Sequence, residues 1–447
     1  MIRALYNLLL HLAMPAVLTR LWWRGRREPG YREDWAQRFG RYAAPVGDAC
    51  AARQVAGARA AAQPTAAQPL IWLHAVSLGE TLAAQPLIAA LRERYPAHRL
   101  LVTHMTATGR EAAQRLYGEV ATLAFLPYDL PWAVARFFAQ FAPVLGIVME
   151  TEVWPNLARA AAARGVPLLL ANARMSPKSH AGYLRAGALL RTAFGSFDAC
   201  AQTAADGARL TELGARSVLV TGNLKFDTAP VSVEQEQVDA LRRIVGAGRV
   251  FLAASTREGE EALLLDALAR HPLGGSVIVV VPRHPQRFDE VAALLARRGI
   301  VYVRRSENRP LPAGCQVVLG DSMGEMPAYY ALADCAFIGG SLVPLGGQNM
   351  IEAAALGVPA LFGPHTFNFS EAAQQAVLAG AALRVDDADA LCREVASLLS
   401  DAARRDAMGA AGRAFCAGHR GATGRTMEVV GRLIDEQQTR GPALAQR

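Results

Sequence analysis

Short runs of Val, Ile and Leu alternate with longer stretches of helical apolar spacing, and this alternation constrains the fold more than any other feature. Runs at 70–76, 100–105, 144–149, 166–171 and 217–221 are too short for helices and too apolar for a half-exposed sheet. Strands that alternate with helices build a parallel sheet covered on both faces. A second series follows at 250–254, 276–281, 301–303, 316–319, 336–338 and 358–362. A polar stretch at 223–235, carrying Pro230, separates the two and reads as a hinge. With 447 residues the chain is long enough for two cores. The expected fold class is α/β, with two Rossmann-like domains at 70–225 and 226–447. Two such domains facing each other create a cleft at the carboxyl ends of their strands, where ligands bind.

The segment before the first series has a different character. Residues 5–23 are mostly apolar and end in Trp22, Trp23, Arg24, Gly25, Arg26 and Arg27. About 20 apolar residues cross a bilayer, and Trp beside Arg resembles an interface belt. Three readings stay open: a span, a helix lying in the interface plane, and a helix packed on the protein. The run meets arginines rather than a small-residue cleavage site, so a signal peptide is disfavoured. Net charge is +8, and residues 1–42 hold eight Arg against Glu28, Glu33 and Asp34. Basicity concentrated there suits an anionic lipid surface; nucleic-acid binding would interleave basic and aromatic residues through the body. We therefore expect 1–42 to be a membrane-anchoring segment with the body on the cytoplasmic side. Residues 43–69 read as an Ala-rich insertion without a folded period.

Cys50, Cys200, Cys315, Cys335, Cys392 and Cys416 are scattered, without a CxxC pair, and read as reduced structural thiols. No P-loop or HExxH motif occurs, which removes motif support for those two chemistries; residues 320–324 (GDSMG) match GxSxG in spelling.

The unusual residues fall at predicted strand ends. Gly339, Gly340 and Ser341 follow one strand, and Gly346, Gly347, Gln348, Asn349, Met350, Ile351 and Glu352 lead into a helix expected over 350–356. Glycines let a backbone close on a phosphate, the helix start favours an anion, and Glu352 reaches ribose hydroxyls. Arg283 and His284 end a very apolar strand and suit a phosphate or carboxylate. Ser255 with Arg257, and Met323, Gly324 and Glu325, sit at neighbouring strand ends.

In the first series, Ser77, Gly79 and Glu80 mark the turn from the first strand into a helix over 81–94. Glu80 is the candidate general base. A helix N-terminus lowers a carboxyl pKa, so apolar shielding must compensate; otherwise Glu80 merely complements the dipole. Glu150 and Glu152 follow another strand, ahead of Trp154, Pro155 and Asn156, as a substrate-orienting pair or a surface pair. Arg174, and Asn223 with Lys225, end later strands and suit acidic substrate groups. Gly340, Gly346 and Gly347 join Ser77, Gly79, Arg174, Ser255 and Arg257 as candidate acceptor or donor contacts.

Taken together, the stretch from Gly30 to Gly40 (GYREDWAQRFG), His74 to Glu80, Glu152 to Asn156, the Asn223 and Arg283 segments and the Gly346 loop resemble the 3-deoxy-D-manno-octulosonic acid (Kdo) transferases. The resemblance implies a glycosyltransferase-B arrangement and an inverting transfer of Kdo from CMP-Kdo to a lipid A precursor at the cytoplasmic face of the inner membrane, in lipopolysaccharide inner-core assembly. It makes Glu80 the base and gives Glu152 and Lys225 a stabilising role. It sets Arg283, His284, Met323, Gly324, Glu325 and Asn349 to Glu352 around the CMP portion. It implies no cofactor and no metal. Gln348, where His is common, and Lys178, where Arg is common, depart from the family pattern. A UDP-sugar enzyme of the same fold and a non-catalytic membrane scaffold are the rival readings.

Overall fold

The computed structural model describes residues 2–26, 28–42, 68–227 and 233–444. Most of the Ala-rich insertion, Arg27, Cys50 and Pro230 of the expected hinge lie outside the described residues. The chain forms two units, Met1–Thr228 with Arg420–Arg447, and Ala229–His419.

In the first unit seven parallel strands, β1 (Leu70–His74), β2 (Arg99–His104), β3 (Thr122–Phe125), β4 (Leu145–Met149), β5 (Leu168–Ala173), β6 (Phe197–Ala201) and β7 (Ser217–Val220), pair in the order 3-2-1-4-5-6-7. β1, β4, β5 and β6 are buried along their whole length, as strands covered on both faces must be. Trp72 is fully buried in β1, and its Nε1–H donates to Thr103 Oγ1 on β2 at 2.7 Å. The indole thus adds its area to the core without an orphaned donor. β3 and β6 were not among the expected strands. Thr122 and Asp198 interrupt their apolar runs, and buried Asp198 is tolerated because Arg216 and Arg432 pair with it.

The second unit repeats the plan with β8 (Val250–Thr256), β9 (Val277–Pro282), β10 (Tyr302–Arg304), β11 (Val317–Leu319), β12 (Cys335–Ile338), β13 (Ala360–Phe362) and β14 (Ala382–Arg384), ordered 10-11-9-8-12-13-14. β14, a three-residue edge strand, is too short to leave a periodic signal. Cys315, Cys335 and Cys392 are free thiols buried in this unit. Strand order reverses between β1 and β4 in the first unit and between β8 and β12 in the second. The carboxyl ends of those pairs are the switch points at which doubly wound sheets bind ligands.

One boundary differs from expectation. Residues 226–447 do not form a single domain, because the last helix, Ala422–Leu444, returns to the first unit. Its Met427, Val430, Leu433 and Ile434 pack in one core with Leu87, Ile88 and Leu91 of helix Gln85–Arg94. Asp227 accepts the amides of Gly421 and Thr423, and Arg425 donates to Thr221 O at 2.9 Å. An apolar stripe on the last helix matches either core equally well in sequence, so only the fold decides.

Candidate functional site

The turn after β1 starts helix Leu78–Ala83, with Ser77 at the N-cap position and Glu80 third in the helix. The expected single helix over 81–94 is two, Leu78–Ala83 and Gln85–Arg94, meeting at Ala84. Glu80 is buried, at 9% exposure. Its Oε2 accepts the Val76 amide at 2.8 Å and its Oε1 the Ser77 hydroxyl at 3.0 Å. Glu80 thus reaches back over the helix start, while the Ser77 side chain caps no amide of its own. Burial raises the Glu80 carboxyl to about 8; the Glu150 charge adds to the rise, the two hydrogen bonds oppose it, and Glu152 adds a smaller push. Desolvation therefore outweighs the two hydrogen bonds. Gly79 is exposed, and a Cβ there would meet only Ser77 Oγ, at 4.0 Å.

β4 lies beside β1 and carries the other carboxylates. Glu150 has φ +56. A non-glycine residue held left-handed costs about 1–3 kcal/mol and is typical of functional sites. Glu152 accepts from Trp154 Nε1 at 3.0 Å, and burial raises its carboxyl. From the far strands comes Lys225, in the short turn Leu224–Asp227. Asn172, also left-handed at φ +54, accepts the Leu224 amide at 3.0 Å, and Asn223 Oδ1 accepts the Lys225 amide at 3.0 Å. Burial lowers the Lys225 ammonium, Glu150 and Glu80 hold it up, and Arg174 pushes it down. Glu80, Glu150, Glu152, Arg174 and Lys225 thus form one electrostatic group at the β1/β4 edge. Glu150 enters it more strongly than sequence suggested, since its charge acts on both Glu80 and Lys225. The available signal was its position directly after an apolar strand.

In the second unit the glycine loop behaves differently from expectation. Gly340 N, Ser341 N and Leu342 N all donate to the Glu260 carboxylate, at 2.6, 2.9 and 3.0 Å, and Arg257 N adds a fourth bond at 2.9 Å. An internal carboxylate, not a ligand phosphate, satisfies the Gly340 turn. Burial still pulls the Glu260 carboxyl upward against these four bonds. Gly347 N and Gln348 N donate to Gly340 O and Gly339 O, zipping the two glycine segments together. Gly346 has φ +91, and a Cβ there would collide with Phe367 and Asn368. Helix Ile351–Leu356 begins one residue late, and its first amide is taken by Asn349 Oδ1 at 3.1 Å.

The groups left for an anion are cationic side chains. Arg283 Nε donates to Gln348 Oε1 at 3.2 Å, joining the β9 end to the glycine loop, so Gln348 has a defined partner. Arg257 has a buried Nε with no hydrogen-bond partner. His284 is exposed, and burial followed by the charges of Arg257, Arg283 and Arg287 lowers its pKa. Ser255 is left-handed at φ +54. Arg287 is committed to Glu261 through two hydrogen bonds of 2.7 and 2.9 Å, and Thr256 Oγ1 donates to the same carboxylate. Glu352 accepts from Asn349 Nδ2 at 2.9 Å; burial raises its carboxyl and the Arg283 charge draws it back.

Met323 is exposed at 60%, and Gly324 has φ +80 with open space beside it. Glu325 is taken up by Arg305 at 2.9 and 3.1 Å, which removes its carboxylate from the free donors and acceptors of this edge. Glu260 and Glu261 escaped the sequence reading. Their signal was a pair of acids after Gly259 at a helix start, the same pattern as a plain dipole match. Among the described residues no group of three or more His, Cys, Asp or Glu is placed to hold a metal ion.

Comparison with known proteins adds to this geometry. Residues 33–228 match the family described as 3-deoxy-D-manno-octulosonic-acid transferase (kdotransferase), and residues 301–415 match glycosyl transferases group 1. The chain is 47% identical over 445 residues to the 3-deoxy-D-manno-octulosonic acid transferase of Bordetella pertussis, covering 96% of this chain and 98% of that one. It is 36% identical over 437 residues to the transferase of the same name in Haemophilus influenzae, again covering 96% and 98%. Among solved structures, the UDP-GlcNAc 2-epimerase of Neisseria meningitidis is similar with a TM-score of 0.56 at 16% identity, over 81% of this chain and 100% of that one. A glycosyltransferase of Rickettsia africae is similar with a TM-score of 0.56 at 12% identity, over 82% and 99%. These two likenesses speak to fold alone, two parallel-sheet α/β domains of the glycosyltransferase-B type.

Proposed function

The chain belongs to the 3-deoxy-D-manno-octulosonic acid transferases of lipopolysaccharide biosynthesis, and from that premise we propose that it moves Kdo from CMP-Kdo to a lipid A precursor, lipid IVA, with Glu80 as general base. The observation that carries the proposal is the buried Glu80 at the β1/β4 switch point, its carboxyl raised to about 8 beside Glu150, Glu152 and Lys225. A carboxyl in that range is basic enough to take a proton from a sugar hydroxyl as the hydroxyl attacks.

The acceptor oxygen gives its proton to Glu80 and forms a bond to the anomeric carbon of Kdo. The bond from that carbon to the CMP phosphate oxygen breaks with inversion, and its electron pair leaves on CMP. Arg283, Arg257 and His284 are the groups that meet the departing phosphate, and Asn349 with Glu352 suits the ribose hydroxyls. Lys225 and Glu152 steady the reacting groups on the acceptor side. On this reading the protein's own side chains supply all the charge stabilisation, with no metal. The apolar, arginine-flanked N-terminal helix supports work at the cytoplasmic face of the inner membrane, where the lipid acceptor resides.

The test is product mass. Purified protein, given Kdo, CTP, a CMP-Kdo synthetase and lipid A precursor, adds Kdo-sized increments and binds CMP more tightly than UDP. A folded protein that adds nothing and prefers UDP overturns the proposal.

A further inference from the structure

The N-terminal helix Ile2–Arg24 is long and apolar enough to cross a membrane by length and composition. It is nevertheless held to the first unit near both ends. Near its start, Tyr6 OH donates to Asp129 Oδ2 at 2.9 Å, and Asn156 Nδ2 donates to Asn7 Oδ1 at 2.8 Å. Asp129 is buried and also accepts the amides of Asn156 and Leu157, at 2.9 and 2.8 Å, in the first turn of helix Pro155–Ala162. Near its end, Leu21 is buried and the Arg24 guanidinium lies 4.4 Å from the ring of Tyr31. Tyr31 is itself buried, in the turn Pro29–Arg32, whose Gly30 packs against Ala107. Tyr6, Leu10, Met14, Val17 and Leu21, one stripe at helical spacing, are all buried or half-buried.

A second stripe faces outward. Ile2, Leu5, Leu9 and Leu12 are 57, 56, 56 and 67% exposed. A helix with one apolar stripe on the protein and another on the outside has a partner missing from the second. The flanking charge says what that partner is. With eight Arg against three acids in residues 1–42, and Arg26 stacked 4.4 Å from the Trp22 ring, the complement is an anionic lipid surface.

Tyr6 and Leu21 lie about 22 Å apart along the axis at roughly 1.5 Å per residue. Were the helix a span, they would stand toward opposite faces of a hydrocarbon core about 30 Å thick. Asp129, Asn156 and Tyr31, which hold those two ends, would then be drawn in beside it. Polar groups drawn into the hydrocarbon lose their water, at a cost that rises with depth to about 3 kcal/mol for an Asp at the centre. Lying flat, the helix keeps every one of these contacts and sinks only its outer stripe, about 5–10 Å deep. We infer that Ile2–Arg24 lies in the plane of an anionic bilayer surface, docked lengthwise on the first unit, instead of crossing the bilayer. The same bonds seat the loop after β4 at that surface, since Asn156 stands four residues beyond Glu152. The inference rests on the membrane part of the proposed function and on none of its chemistry.

Two experiments decide it, neither needing turnover. In the full chain carrying Cys50→Ser, Ile2→Cys is treated with a membrane-impermeant maleimide in spheroplasts of a Gram-negative host. The in-plane helix leaves Ile2→Cys unlabelled from outside and labelled after detergent is added; labelling of intact spheroplasts overturns the inference. Purified wild type floats with vesicles of phosphatidylcholine and phosphatidylglycerol at 3:1. Leu9→Asp with Leu12→Asp, both at exposed positions, cuts the floated fraction at least tenfold with an unchanged melting temperature. Flotation equal to wild type overturns it. Because both readouts ignore catalysis, failure of the donor, acceptor or base assignment is seen separately, in the product-mass assay.

Discussion

Two opposing effects meet on Glu80. The Val76 and Ser77 hydrogen bonds draw its pKa down, whereas burial and two neighbouring carboxylates push it up, and the second set wins. The consequence for activity has a definite sign. Glu80 must be ionised to accept a proton, so kcat/KM for transfer rises with pH along a limb whose apparent pKa lies near 8, and Glu80→Gln removes that limb. A flat profile between pH 6 and 9 contradicts the base assignment. Stability moves the other way, because the folded chain keeps a proton that the unfolded chain releases near pH 4.5. Glu80 therefore weakens the folded state progressively as pH climbs from there to about 8. In the second unit, Arg283→Ala removes a charged donor that also holds Gln348. At about 1.5–3 kcal/mol for a charged hydrogen bond, KM for CMP-Kdo rises roughly 10- to 150-fold while the melting temperature changes little. Residue type and position after a strand made Glu80, Glu152 and Arg283 stand out in the sequence as candidates, and each does lie just beyond a strand. Glu260 did not stand out, because a carboxylate that fills a backbone nest from inside is indistinguishable in sequence from one that decorates a helix start.

At the scale of elements, strand ends were read well and their internal hydrogen bonding was not. The glycines after β12 announce a sharp turn. Whether its amides face a ligand or a side chain depends on Glu260, some 80 positions earlier. Gly346→Ala tests the loop geometry directly. Its left-handed φ and the crowding by Phe367 and Asn368 destabilise the variant by more than about 1 kcal/mol, seen as a lower melting temperature with weakened CMP binding. An unchanged melting temperature contradicts the geometry. The last helix offers a second case. Asp227→Ala strips the acceptor for the Gly421 and Thr423 amides, costs about 1 kcal/mol as a lost cap, and speeds hydrogen exchange selectively in residues 422–444. Equal exchange in the variant argues against docking on the first unit. β3, β6 and β14 went unread for a common reason: each is short or polar-interrupted, and its pairing is fixed by neighbours far away in sequence.

Over the whole molecule, the apolar alternation made both parallel sheets legible, because a strand covered on two faces leaves an unmistakable run. The return of residues 420–447 to the first unit was hidden, since long-range docking leaves no local mark. Proposed chemistry without a metal predicts that EDTA leaves turnover unchanged; loss restored by added magnesium contradicts it. The central claim joins the family assignment to one carboxylate, and the most direct measurement is Kdo transfer to lipid A precursor by wild type and Glu80→Gln side by side, read by product mass. Wild type adds Kdo, and Glu80→Gln falls by roughly 10²- to 10⁴-fold while still binding CMP. Transfer by Glu80→Gln at the wild-type rate contradicts the account.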